Sequence, residues 1–135
     1  MSTQIFINLP VANLEKSKAF YTALGHGINP KFSDENAACV VVSDTIFVML
    51  LTRAYFQGFT KKSVADANKE LQTLVALSTP GRAEVDALMD KALGAGGKEA
   101  GEAKDYGFMY QRSFEDPDGH TWEIFYMNEA EFPGA

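Results

Sequence analysis

The chain has 135 residues, 46% of them hydrophobic and 12% aromatic, and 18 acidic against 12 basic side chains give it a net charge of −6. This fits one globular domain, or two half-sized modules sharing a core, and argues against a disordered chain. No basic cluster exceeds Lys61-Lys62, and Met1 to Gln4 lead directly into an apolar strand, so neither nucleic acid nor membrane is expected as a partner and the cytoplasm is the expected location.

Ile5 to Leu9 is short, β-branched and aromatic, which predicts a strand that Pro10 should end. Asn13 then caps an amphipathic helix with Leu14, Phe20, Tyr21 and Leu24 on one face, stopped by Gly25. After the turn Ser33 to Asn36, the runs Ala38 to Val42 and Thr45 to Leu51 predict a hairpin around Ser43-Asp44. Cys39, the single cysteine, lies in the first of these runs and reads as buried and inert. Arg53 to Ala67 fits neither strand nor long helix; it reads as a connector with a helical turn, whose Tyr55, Phe56 and Phe59 could serve as a lid.

Leu71 to Leu77 predicts another strand. Ser78-Thr79-Pro80 predicts a helix start with Pro at the first helical position, and Gly94 its end. Phe108 to Phe114 and Thr121 to Met127 predict two strands joined through the turn Asp116-Pro117-Asp118-Gly119. Each half therefore reads strand, helix ending Ala-Leu-Gly, then strands, which is a βαβββ module used twice.

Val11 to Tyr21 followed by Leu24-Gly25, together with Phe114-Glu115-Asp116-Pro117-Asp118-Gly119-His120 through Glu123, resembles the end motifs of the vicinal oxygen chelate superfamily of glyoxalases, bleomycin resistance proteins and extradiol dioxygenases. Within it the chain looks most like the bacterial lactoylglutathione lyase-like group. The resemblance implies an α+β fold: two βαβββ modules forming a cupped, incomplete β-barrel with helices outside and a ligand cavity inside. Module one would span about 4–58, a connector about 53–70 and module two about 71–128 of a single domain. Relatives often pair, so an isologous homodimer is the generic expectation.

Metal-dependent members hold an ion with one side chain from each of four strands, and the resemblance implies that those places fall here on Phe6, Leu50, Leu74 and Glu123. Three of the four cannot ligate, so no metal and no cofactor are expected. A carboxylate in an apolar cup would be costly to ionise, which makes Glu123 the candidate acid or base; its alternative is a structural pair with Asn8 or Gln111. The resemblance implies which strand faces line the cup, and with strand alternation this adds Asn8, Gln111, Ser113 and Phe125 to Phe6, Leu50 and Leu74 as expected ligand contacts. Trp122, Ile124 and Tyr126 should pack beneath a helix. Arg112 would share that face and needs a carboxylate that the sequence does not name. His26 and His120 read as structural, and the acidic surface would suit a cationic ligand.

These readings favour a metal-independent small-molecule binder with its ligand in the cup. The alternative is a metal-independent lyase or isomerase acting on a small carbonyl compound through Glu123. A metal-dependent lactoylglutathione lyase or dioxygenase is disfavoured.

Overall fold

A computed structural model describes residues 2–133, which divide between Glu70 and Leu71 into two compact units. The first holds β1 (Ile5–Val11), α1 (Leu14–Ala23), β2 (Gly27–Asn29), β3 (Ala37–Val41), β4 (Ile46–Thr52) and the short α2 (Arg53–Gln57). Its sheet runs β1-β4-β3-β2, with β1 parallel to β4 and the remaining pairs antiparallel. The parallel pair requires a crossover, which α1 begins.

Asn13 caps α1 by accepting the Lys16 N–H at 3.1 Å, and Gly25, at φ 103°, follows the last turn in the left-handed region that a side chain disfavours. Leu14, Ser17, Phe20 and Tyr21 form the buried face of α1. It packs on β3 and β4, where alternation lines up Ala38, Val40, Val48 and Leu50, each fully buried. Burial of each large side chain in this layer contributes about 1.5–3 kcal/mol.

The second unit holds β5 (Val75–Ser78), α3 (Arg82–Gly94), β6 (Lys98–Glu99), β7 (Lys104–Asp105), β8 (Met109–Glu115) and β9 (Thr121–Met127). Its order is β5-β9-β8-β6, with the short β7 also on β8, so β6 and β7 act as two pieces of one interrupted strand. Since β5 is parallel to β9, the wiring of the first unit is repeated. Val85, Met89 and Ala92 are the buried residues of α3, and Phe114, Trp122 and Ile124 are buried on the strands it packs against. The chain is thus α+β, with one open sheet in each unit.

Several boundaries differ from expectation. β1 continues through Pro10 to Val11, because β1 ends the strand order and an edge strand tolerates a residue without an N–H. β5 begins only at Val75, where pairing with Trp122 starts, leaving Leu71 to Leu74 outside the sheet. Pro80 precedes α3 rather than opening it: Gly81 is the N-cap, and the Thr79 hydroxyl donates to the Gly81 carbonyl at 3.0 Å. Gly94 stays helical, and the left-handed turn falls on Gly96 at φ 101°.

Candidate functional site

Parallel pairing of β1 with β4 sets Phe6 beside Phe47 and Asn8 beside Met49, so these four side chains share one sheet face. The Phe6 and Phe47 rings stack with centroids 4.8 Å apart. Leu50 instead pairs with Leu9 and points to the opposite face, beneath α1, where it is 0% exposed. The expected register for Leu50 is therefore corrected by one residue: Met49 and Leu51 hold the face that carries Phe6 and Asn8. Parallel partners 41 residues apart are joined by no turn that would have revealed this offset (Phe6 to Phe47).

That face forms the floor of a cavity of about 340 Å³, with Asn8, Ala37, Met49 and Leu51 beneath it. Its walls come from two short helical segments and the residues that follow them. A 3-10 turn, Pro30–Phe32, and the residues after it supply Lys31, Phe32, Ser33 and Asp34; α2 and its exit supply Tyr55 and Phe59. Local hydrogen bonds hold both walls. Asp34 Oδ1 accepts the backbone N–H of Asn36 at 2.8 Å and of Ala37 at 3.0 Å, while the Ser33 hydroxyl bridges the Asn29 carbonyl and the Cys39 N–H. The Gln57 amide donates to the carbonyls of Thr60 and Lys62, which fixes the turn that presents Phe59. Tyr55 and Phe59 meet edge to face at 5.2 Å, and Phe59 remains 70% exposed. Phe56 does not line the cavity. Lys31 and Phe32 were not singled out from sequence; the available signal was a ring and a cation beside a Pro-started turn.

In the second unit, Ser113 lies opposite Glu123, Gln111 opposite Phe125, and Ala76 flanks Glu123 from β5. Glu123, Gln111, Ser113 and Phe125 thus share the face turned away from α3, each half-buried. The Gln111 amide donates to Glu123 Oε2 at 3.0 Å, one of the two structural pairings open at the outset. Leu74 precedes β5 and is 49% exposed, so no ladder bond orients it. Gly101 brings the backbone between β6 and β7 close to Ser113: a Cβ there would lie 4.0 Å from the Ser113 hydroxyl.

The opposite face of this unit supplies the missing partners of Arg112. Its guanidinium donates to Asp86 on α3 at 2.9 Å and to both oxygens of Glu99 on β6. Tyr110 donates to the same Asp86 oxygen at 2.7 Å. The Tyr110 hydroxyl and then the guanidinium hold the Asp86 carboxyl below its ordinary range, and Asp86 in turn pushes the Tyr110 hydroxyl up. Burial pulls Arg112 down, but its bonds to Asp86 and Glu99 outweigh that. Arg82 grips Asp105 with two bonds of 2.8 and 2.9 Å and lies over the Tyr110 ring at 5.2 Å. These bonds and the Gly107 N–H hold Asp105 at about 2.

Of the residues that the resemblance implies for metal ligands, Phe6, Leu50 and Leu74 carry no N, O or S side-chain donor, so the set does not fit a divalent ion. Phe6 offers a ring stacked on Phe47, Leu50 faces away, Leu74 is apolar, and Glu123 adds one carboxylate already hydrogen-bonded to Gln111. Among the described residues, no group of three His, Cys, Asp or Glu side chains could hold a metal ion. Nor is any described helix long and apolar enough to cross a membrane.

Residues 3–43 match the family described as bleomycin resistance protein-like N-terminal. A hypothetical protein from S. aureus is similar at 28% identity, covering 93% of this chain and 94% of that one, with a TM-score of 0.78. A glyoxalase-related enzyme from Fulvimarina pelagi gives 23% identity, coverage of 93% and 88%, and a TM-score of 0.77. A bleomycin resistance determinant encoded on the transposon Tn5 gives 17% identity, coverage of 93% and 98%, and a TM-score of 0.65. No curated protein matches the chain. The chain shares the fold of these glyoxalase-related and bleomycin-resistance structures.

Proposed function

We propose that the chain is a metal-independent small-molecule-binding protein, using the sheet face opposite α1 as its ligand floor. The observation that carries this reading is the cavity of about 340 Å³ over Asn8, Met49 and Leu51, walled by Phe32, Tyr55 and Phe59. Apolar side chains and rings with a few polar groups, in a volume of a few hundred Å³, are the usual make-up of a small-molecule site. The superfamily's fold, which houses a bleomycin resistance determinant among its members, supports the same reading. The two units would then serve as modules of one binding domain, acting in the cytoplasm and open to pairing as a homodimer. The lactoylglutathione lyase-like resemblance extends to the chain's motifs but not to a metal-assisted lyase reaction, because Phe6 and Leu74 provide no donor.

A thermal-shift screen against a metabolite and drug panel tests this function, since a ligand that binds only the folded chain raises its melting temperature. Stabilising compounds whose effect is weakened by Met49→Ala are expected. A panel with no stabilising compound, or stoichiometric Zn, Ni, Mn or Fe in the purified protein, overturns the reading.

One observation favours a second reading. Glu123 is half-buried, oriented by the Gln111 amide and set opposite the Ser113 hydroxyl, an arrangement in which a carboxylate could move a proton to or from a carbonyl compound. A metal-independent lyase or isomerase would lose turnover on Glu123→Gln, whereas a binding protein would keep its ligand affinity.

A further inference from the structure

We infer that the cavity of the first unit takes a flat aromatic acid, its ring held between exposed aromatic side chains and its anionic group met by Lys31. This inference rests on the binding function proposed above and adds the ligand's class. Three rings, Phe32, Tyr55 and Phe59, border a cavity whose floor is Met49 and Leu51, and all three are exposed. Exposed rings on a cavity wall offer faces and edges to a planar guest.

Charge selects among planar guests. Two charged side chains of opposite sign border the cavity, Lys31 and Asp34. Asp34 Oδ1 accepts two backbone N–H groups of its own turn, which orients that carboxylate without removing its charge. Lys31 is not held in this way: among the described residues its ammonium makes no ion pair within 4.0 Å and lies 5.8 Å from the Phe32 ring centre. An ammonium beside a ring and without a counter-ion gains by meeting a carboxylate, sulfonate or phosphate, and charge-assisted hydrogen bonds are the stronger kind. A cationic guest would meet Lys31 as a like charge. What a ligand in the cavity meets is set by Lys31 and Asp34 more than by the net charge of −6, because at physiological salt a ligand in contact with the wall is affected mainly by charges within about 8 Å. The Asn8 amide on the floor offers a further donor and acceptor to a ring substituent.

Titration calorimetry with three probes of one shape tests the class: naphthalene-2-carboxylate, naphthalene-2-carboxamide and naphthalen-2-ylmethylammonium. The acid is expected to bind about tenfold more tightly than the amide, and the ammonium most weakly. Lys31→Gln should abolish the preference for the acid by weakening acid binding more than amide binding, and raising the salt concentration should shrink that preference in the unaltered protein. Phe59→Ala should weaken acid and amide alike; both side chains are exposed, so folding is not at stake.

Equal affinity for acid and amide, tightest binding of the ammonium, or an acid preference that survives Lys31→Gln would overturn the inference while leaving the cavity a binding site. Absence of binding by all three probes would overturn it as well. Whether the broader binding function fails with it is read separately from the metabolite panel.

Discussion

Arg112 on β8 and Asp86 on α3 meet at 2.9 Å, a bond that ties the helix to the sheet from the side opposite Glu123. Arg112 is only 15% exposed, whereas Asp86 is half exposed and shares its oxygen with the Tyr110 hydroxyl. A guanidinium so covered needs its carboxylates, since an uncompensated buried charge costs more than a missing contact.

Asp86→Asn should therefore destabilise the protein by about 1–2 kcal/mol, at the modest end because Glu99 remains as a second partner and Asp86 is partly solvated. The midpoint of urea unfolding should fall with its slope unchanged. A midpoint equal to that of the unaltered protein would show that the bond adds no stability.

Acid should act through the two depressed carboxyls. Tyr110 and Arg112 lower Asp86, and Arg82 and the Gly107 N–H lower Asp105 to about 2. A depressed folded-state pKa gives stability that is complete above the unfolded value of about 4 and is lost as pH falls through the folded value. Stability should accordingly decline from about pH 5 towards pH 2. In Arg82→Gln the Asp105 carboxyl should titrate closer to pH 4, read from its carbon chemical shift. A titration midpoint that stays at about 2 would assign the shift to the Gly107 N–H instead.

Cys39 is fully buried in β3, and burial pushes its thiol up. The thiolate is the reactive form, so a disulfide reagent should fail to label the folded protein over minutes and should label one thiol per chain in denaturant. Rapid labelling of the native protein would mean that β3 opens readily.

Met49 and Leu50 are neighbours in β4 on opposite faces, which separates stability from binding. Leu50→Ala empties a closed layer beneath α1 and should cost about 2–5 kcal/mol. Met49→Ala should cost less, because Met49 is only half-buried, and should instead weaken any ligand that stabilises the protein. The reverse pattern in denaturation and thermal-shift measurements would exchange the two faces.

Apart from the short β2, β6 and β7, the longer elements were legible in the sequence, with the Asn13 and Gly25 ends of α1, the βαβββ repeat and the alternating faces of β8 and β9. These are local properties: a cap depends on a few adjacent residues, and the tight turn at Asp116 to Gly119 pins an antiparallel register, so Gln111 and Ser113 were legible on the Glu123 face. Which of Met49 and Leu50 joins Phe6 emerged only on folding, because a parallel register between β1 and β4 is set by the packing of α1 and not by a turn. The tertiary structure alone brought Asp86 and Glu99 to Arg112, from a helix and a strand distant in the chain. And it alone raised the cavity walls, since Phe32, Tyr55 and Phe59 lie on short helical turns and their exits, whose position no periodicity encodes but whose hydrogen bonds fix them beside the sheet.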